Sequence, residues 1–301
     1  MAFGSAPGYG NLTRGNFSPE IFAQKAQKFF RTAAVVEAIT NTDYAGEIAD
    51  HGDKVRIIKE PLITTQTYTR GKELVIQDLD DQELTMLIDQ GVAYAFPLDD
   101  VEAKQSHIDW ASLASGSAGY AITDKFDTEV LQYMHDNAST NTDLGSAGSA
   151  KNIGYDAGDD FTPLDFINLS ARILDENDVP AEGRWFCASP RFYQELALED
   201  GKLIDVSVTN DPESLIRSRK FATSRMIHGF TMFKSNNQPL SSSSDVTTLF
   251  GHKSAVSTAS SISKSEVVRR EKTFGNLHRG LLVYGRKVLR AEALFTGFIA
   301  F

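Results

Sequence analysis

The feature that most constrains this chain is a pair of strand patterns between Asp53 and Phe96, followed directly by a long helical pattern. The residues that alternate onto one face of the return strand are Leu84, Met86, Ile88, Val92, Tyr94 and Phe96, and those on the other face are Glu83, Thr85, Asp89 and Ala93. A polar, Thr-rich tip with a turn at 70–72 separates the two strands. Arms of about a dozen residues would reach roughly 40 Å. Because an isolated two-stranded ribbon is marginal in water, we expect it to rest on another surface, which need not belong to the same chain.

The next segment predicts one amphipathic helix from Asp99 to about Asn137. Gly116 and Gly119 interrupt its apolar pattern, and each costs up to about 1 kcal/mol relative to alanine. We expect these glycines either to mark a bend or to let another backbone approach closely. A continuous helix of roughly 38 residues would be about 60 Å long, which is long enough to act as the spine of a domain.

The remaining segments predict an α+β fold without a βαβ repeat. Residues 1–17 are rich in glycine and are expected to form an extended arm, and residues 137–160 are expected to form a polar surface loop. Ser18-Pro19 and Thr162-Pro163 are typical helix starts, with a capping side chain followed by proline. The predicted helices are Ser18 to about Ala38, 163–176 and 190–198, and the predicted strands are 184–188, 228–233, 246–250, 255–256, 280–289 and 293–301.

Composition and motifs argue against several classes of function. The net charge of −10 disfavours general nucleic-acid binding, and no run approaches the roughly 18 apolar residues of a membrane helix. No secretory signal is recognisable, so we expect synthesis in the cytosol. The single cysteine, Cys187, is interpreted as a core residue, and the six histidines show no metal-binding spacing. We therefore predict no catalytic, cofactor-binding or metal-binding residues, although scattered side chains could still converge in space.

Several short strings, in this order along the chain, resemble the major capsid proteins of tailed double-stranded DNA bacteriophages, which have the Hong Kong 97-type fold. The resemblance covers nearly the whole chain. It is carried by Ser18-Pro-Glu-Ile21, Gly52-Asp-Lys-Val-Arg56, the segment Leu174 to Arg184 with Ser189-Pro190 after it, Ile227-His-Gly-Phe230 and Leu281 to Val288, together with the flexible arm, the long ribbon and the long helix.

The resemblance implies a chain that self-assembles into an icosahedral shell around the phage genome. It divides the chain into an N-terminal arm and helix (1–45), an extended loop that lies over the adjacent subunit (46–96), a peripheral domain with the spine helix (97–178), an axial domain (179–263) and return strands of the peripheral domain (264–301). The location would be the virion capsid, after assembly in the host bacterial cytoplasm.

The resemblance also implies partners. The chain would form pentamers and hexamers with itself, and it would pack double-stranded DNA without sequence-specific binding. A portal and, as a further option, a decoration protein would complete the head. Some members carry a removable N-terminal scaffold segment, and the short arm here implies a separate scaffolding protein. Some members cross-link subunits through Lys and Asn; Lys72 is a suggestive donor, but we interpret it as a solvated turn residue and predict no such bond.

Charge is distributed unevenly along the sequence. Residues 78–100 contain seven acidic and no basic side chains, whereas residues 264–290 contain eight basic and two acidic ones. Either both segments are solvated faces, or the acidic segment of one copy meets the basic segment of another. On the second interpretation, the candidate inter-subunit contacts are Arg70, Lys72, Arg269, Arg270, Arg286 and Lys287.

Three alternatives remain. An encapsulin-like compartment would enclose a cargo enzyme instead of a genome. A cytosolic hydrolase built from converging acids would form a small oligomer with a deep polar pocket. An auxiliary phage structural protein, such as a tail or decoration subunit, would not form closed shells.

Overall fold

The computed structural model of the protein describes residues 34–44, 54–58, 63–71, 73, 76–77, 83–105, 110–156, 158–196, 226–240, 246–271 and 273–301. The helices in these ranges are α1 (Val36–Ile39), α2 (Asp100–Gln105), α3 (Trp110–Asn137), α4 (Pro163–Glu176) and α5 (Pro190–Leu196). The strands are β1 (Lys54–Ile58), β2 (Glu83–Leu87), β3 (Gln90–Asp99), β4 (Ser139–Thr140), β5 (Lys151–Asn152), β6 (Arg184–Ala188), β7 (Met226–Ile227), β8 (Phe230–Lys234), β9 (Val246–His252), β10 (Val256–Arg269), β11 (Gly275–Val288) and β12 (Leu294–Ala300). Helices together with strands that pair mostly antiparallel, and parallel between β6 and β8 and between β12 and both β4 and β5, confirm a mixed α and β architecture.

The ribbon is formed by β1 and β2, which pair antiparallel with Lys54 opposite Leu87 and Ile58 opposite Glu83. The expected alternation of the return segment is largely confirmed, because Met86 is buried while Glu83 and Asp89 are exposed; Thr85 is half-buried instead of exposed. The paired part of the ribbon is shorter than the sequence suggests. After Leu87 the chain leaves β1, and β3 pairs with a strand nearly two hundred residues further along the chain.

A three-stranded antiparallel sheet has the order β10, β11, β3. Its hairpin is fourteen residues long on each side, and Arg269 lies opposite Asn276 near the turn. The sequence pattern predicts strand at 255–256, at the start of β10, and at 280–289, which covers most of β11. The middle was missed because it is rich in serine and charged residues and shows no apolar alternation over 263–271.

The main core surrounds a second sheet, in the order β4, β12, β9, β6, β8, β7, with β5 also paired to β12. Every residue of β6 is buried, in agreement with the apolar run from Trp185 to Ala188 that follows Arg184. The rings of Phe166, Phe186, Phe192 and Phe250 pack together around it, with Phe186 and Phe250 stacked at 6.0 Å. The predicted strand ending at 301 belongs to this sheet, because β12 pairs with β9. The expected end of the axial domain at Ser263 falls inside β10.

The helices agree with their sequence signatures where they are described. Thr162 caps α4 by accepting from the Asp165 amide at 3.2 Å, and α3 ends at Asn137 as expected. The predicted continuous helix includes residues 106–109, which connect α2 to α3 in the sequence and lie outside the described residues. Gly119 lies within α3, and a methyl group there would meet nothing within 4 Å in the described part of the chain. The predicted helix from Ser18 is described only at its end, which includes α1.

Candidate assembly surfaces

The base of the ribbon is seated on the hairpin sheet. Val55 of β1 and Met86 of β2 are buried together with Ala259 of β10. At the end of β2, the Leu87 carbonyl oxygen lies directly over Gly285 of β11, where a Cβ atom would also come within 3.1 Å of Ile88 Cγ1. The absence of a side chain at Gly285 thus permits this close backbone approach. The ribbon has a fixed origin on the body of the protein.

The tip of the ribbon is extended and exposed. Beyond the paired strands, Thr64 donates its amide and hydroxyl hydrogens to Gln77 Oε1 at 3.0 and 2.9 Å, which joins the two arms. Large apolar side chains of this region project into solvent: Ile63 is 69% exposed, Tyr68 70% and Ile76 90%. Exposed apolar side chains clustered on one projection are typical of an interaction site.

The outer face of the hairpin sheet is a second exposed surface. Small residues at Ala93 and Ala95 of β3, beside Leu281 of β11, leave a shallow groove of about 430 Å³. Its charged border is formed by Lys264 and by the cross-strand ion pair between Glu266 and Arg279. An apolar floor with a charged rim is the usual composition of a protein–protein contact.

The inner face of the same sheet is covered by α3. The Tyr284 hydroxyl donates to the Glu129 carboxylate, and the Arg286 guanidinium donates to the Glu129 main-chain carbonyl. The Tyr284 ring packs edge-on against Phe126 at 4.7 Å. Burial and the neighbouring Glu129 carboxylate raise the pKa of Tyr284, so its hydroxyl remains a proton donor. The helix and the sheet are therefore fixed against each other by polar as well as apolar contacts.

The basic residues predicted at inter-subunit contacts occupy different environments. Arg70 is exposed at the ribbon turn, and Lys72 lies outside the described residues. Arg269 binds Asp100 of its own chain through two hydrogen bonds of 2.9 and 2.5 Å, and this pairing holds the pKa of Asp100 below its usual value. Arg270 is exposed beside it at the end of the hairpin.

The last two basic residues lie on the body of the protein. The guanidinium of Arg286 lies 4.9 Å from the centre of the Tyr133 ring, so it already contacts α3, while Lys287 is half-buried. Part of the acidic and basic asymmetry is thus neutralised within the chain, because β3 and β11 are neighbours and Arg269 reaches Asp100. A role for these six residues between subunits stays a prediction.

No catalytic constellation is assembled at Cys187. The thiol is fully buried in β6 and accepts a hydrogen bond from Gln238 Nε2 at 2.7 Å, and burial raises its pKa, which disfavours the reactive thiolate. Among the described residues, no three His, Cys, Asp or Glu side chains converge on a point that could hold a metal ion. None of the helices in those ranges is long and apolar enough to cross a bilayer.

The structure resembles those of solved phage capsids over nearly its whole length. A chain of Mycobacterium phage Che8 is 23% identical, with 94% of this chain and 98% of that chain covered at a TM-score of 0.77. The capsid structure of cyanophage P-SCSP1u is 20% identical, covering 94% and 93% at 0.71, and the mature capsid of bacteriophage PhiM1 is 14% identical, covering 99% and 98% at 0.69. The chain has a bacteriophage capsid fold. No protein-family model matches it, and no curated protein sequence does either.

Within this capsid fold, sequence reasoning identified the ribbon but selected only its charged residues as contacts. The apolar tip residues were missed, although Ile63, Tyr68 and Ile76 are large apolar side chains within or beside the Thr-rich segment. A large apolar side chain in a predicted solvent-exposed turn was the available signal. The outer groove had no such signal, because it forms only where β3 pairs with the distant hairpin of β10 and β11.

Proposed function

We propose that this chain is the major capsid protein of a tailed double-stranded DNA phage, and that its copies assemble into the icosahedral head that encloses the genome. The observation that carries the proposal is the projecting ribbon, with exposed Ile63, Tyr68 and Ile76, on a chain of capsid fold. Three large apolar side chains held in water are unfavourable in a monomer and become favourable when a neighbouring copy covers them.

The fold is proposed to be of the Hong Kong 97 type. Residues 1–45 form the N-terminal arm and helix, 46–96 the extended loop over the neighbouring subunit, 97–178 the peripheral domain with the spine helix, and 179–263 the axial domain around the five- and six-fold axes. Residues 264–301 return to the peripheral domain through β11. We modify this division at its sheet: β12, together with β4 and β5, is assigned to the same sheet as β9 of the axial domain, because β12 pairs with all three strands.

The surface that accepts the ribbon is proposed to be the outer groove of the hairpin sheet. The groove offers the apolar contact that the tip lacks, and its rim provides Lys264 and the Glu266–Arg279 pair for polar contacts. Many such modest contacts, repeated around closed rings of subunits, act together in a shell. Arg70, Lys72, Arg269, Arg270, Arg286 and Lys287 remain candidates for the charged part of these contacts.

The chain is proposed to act without enzymatic chemistry or a cofactor. Its partners would be further copies of itself, a separate scaffolding protein, a portal and, in some shells, a decoration protein. The net charge of −10 suits an inner surface along which packaged DNA slides instead of adhering. Assembly would take place in the host bacterial cytoplasm, and the final location would be the virion.

Negative-stain microscopy of the expressed chain, alone and together with the adjacent genes of its cluster, tests the proposal. Closed shells, tubes or angular sheets are expected. A uniform population of monomers or small oligomers under every condition would overturn it and favour a hydrolase or an auxiliary phage protein. Shells filled with one protein species and no nucleic acid, when the packaging genes are present, would favour the encapsulin-like alternative.

A further inference from the structure

A buried carboxylate on α3 joins three separate parts of the chain. Asp127 is completely buried, and its Oδ1 atom accepts hydrogen bonds from the Val35 and Val36 amides at 2.8 and 3.0 Å. Its Oδ2 atom accepts from Asn237 Nδ2 at 3.2 Å. The N-terminal segment, the centre of α3 and the turn after β8 therefore meet at one side chain.

The contact provides a hydrogen-bond acceptor for the amides at the start of α1. The first amides of a helix have no partner within the helix and need an acceptor from elsewhere. Val35 occupies the capping position of α1 but forms no side-chain hydrogen bond, since valine carries no polar group. Asp127 supplies the missing acceptor from a position 92 residues further along the chain.

Asn237, in the turn after β8, connects the Asp127 carboxylate to the second sheet. Its Nδ2 group donates to Asp127 and, at 2.9 Å, to Asp124 Oδ1 one turn earlier on α3. Burial, with a smaller contribution from the nearby Asp124 charge, raises the pKa of Asp127, whereas the three N–H donors act in the opposite direction. The carboxylate is thus held in an unfavourable environment by its hydrogen-bond partners.

We propose that Asp127 is a latch that holds the start of α1 on the body of the protein. Breaking the contact frees the first turn of α1 without opening the sheet beyond it. The segment has a separate anchor two residues after α1, where the Asn41 amide donates to the Val256 carbonyl at 2.9 Å. Among the described residues, release is therefore expected to affect those before this anchor, which include α1.

The latch requires a carboxylate because both of its oxygens face N–H donors. In an Asp127→Asn variant, either orientation of the amide turns its NH₂ group toward the amides of α1 or toward Asn237, so one donor meets another. The change preserves the size of the side chain and removes one acceptor. It therefore separates the latch from simple filling of the core.

Residue-resolved hydrogen exchange on the full-length unassembled chain tests the proposal. In Asp127→Asn, the Val35 and Val36 amides should exchange about tenfold faster or more, while the Asn41 amide and the β9 amides keep their wild-type rates. The control is Asp136→Asn on the same helix, where an exposed carboxylate accepts from Gln132 Nε2 at 2.8 Å. This control should leave exchange at Val35 and Val36 unchanged.

Two results would overturn the latch. Unchanged exchange at Val35 and Val36 would mean that other contacts hold the segment, and equal acceleration at Asn41 and in β9 would mean that the variant merely destabilises the whole chain. Should Asp127→Asn fail to fold, Asn237→Ala removes the Oδ2 partner together with the hydrogen bond to Asp124 and keeps the Asp127 carboxylate, and a smaller acceleration confined to the same amides is expected. The result is independent of whether the chain forms shells.

Discussion

At the scale of single residues, His135 gives the fold a pH dependence with a definite sign. It lies in the last turn of α3, with Nδ1 3.1 Å from the Thr296 hydroxyl oxygen and its ring edge-on to Phe298 at 5.6 Å. Burial lowers its pKa below 6.5, although the nearby Asp136 acts in the opposite direction. Because the unfolded chain then binds a proton more readily, this contribution to stability is present above pH 6.5 and is lost as the pH falls towards the lowered value.

We expect His135→Gln to remove this part of the pH dependence. Urea unfolding of the unassembled chain at pH 7.5 and pH 5.0 measures it, as the loss of unfolding free energy between the two conditions. The wild-type chain should lose more than the variant. An equal loss in both proteins would show that other groups account for the acid sensitivity.

Two further residues show which contacts could not be predicted at this scale. The sequence predicts Arg184 at the start of a buried strand but does not indicate the partners of its side chain. Its buried guanidinium donates to the Pro180 carbonyl at 2.9 Å and to Asp175 at 2.6 Å. Asp127 has the sequence context of a solvated helix face. In both cases the partners lie on other elements, so local periodicity contains no information about them.

At the scale of elements, the contact between the ribbon base and the hairpin sheet depends on Gly285 in β11. In Gly285→Ala, the new methyl group would overlap the Leu87 carbonyl oxygen and force the ribbon base away from the sheet. A loss of about 1–3 kcal/mol of unfolding free energy is expected, as for other overpacked sites. Gly91→Ala is the matched control, because a Cβ atom there has its nearest neighbour, the Leu282 carbonyl oxygen, at 4.0 Å.

Chemical denaturation of the two unassembled variants measures this difference. If Gly285→Ala had the same free energy of unfolding as Gly91→Ala, the ribbon base could shift without cost. The contact with the hairpin sheet would then not fix the position of the ribbon. The outcome bears on assembly, since a displaced base would move the tip relative to any neighbouring surface.

Arg269 and Arg270, neighbours at the end of the hairpin, are expected to have different roles. Arg269→Glu would place a carboxylate against Asp100, so we expect a lower unfolding temperature of the unassembled chain as well as a reduced shell yield. Arg270→Glu, at an exposed position, should reduce shell yield and leave the unfolding temperature unchanged. Differential scanning fluorimetry and sedimentation of particles measure the two effects, and unchanged yield in the double variant would disprove an inter-subunit role for both residues.

Elements with a local signal could be predicted from the sequence, and those stabilised by distant partners could not. The ribbon, α4 and β6 follow from alternation, a capping threonine with proline, and a continuous apolar run. The pairing of β3 with β11 joins strands far apart in the chain, and most of β10 is a serine-rich, partly polar strand without a clear apolar alternation. The order of the parts nevertheless pointed to the capsid fold before any contact was known.

At the scale of the whole molecule, assembly should depend on the apolar tip more strongly than folding does. Ile63 and Tyr68 lie beyond the paired strands and are 69% and 70% exposed, so replacing both with serine should leave the urea unfolding of the unassembled chain unchanged. Fully burying one such side chain contributes about 1.5–3 kcal/mol, and a shell repeats the contact in every subunit. The double variant should therefore yield few or no sedimenting particles.

Thr65→Ala, an exposed polar position in the same tip, controls for any change to this segment and should assemble like the wild-type chain. Sedimentation of particles at matched protein concentration measures the yields of all three proteins. Normal assembly of the Ile63→Ser/Tyr68→Ser variant would show that assembly does not depend on burying these two side chains. The ribbon would then contact its neighbour through Ile76 or through its backbone and charged residues. Added salt would distinguish these two cases, because salt screens exposed ion pairs but does not weaken apolar contacts, so a lower yield in salt would indicate charged contacts.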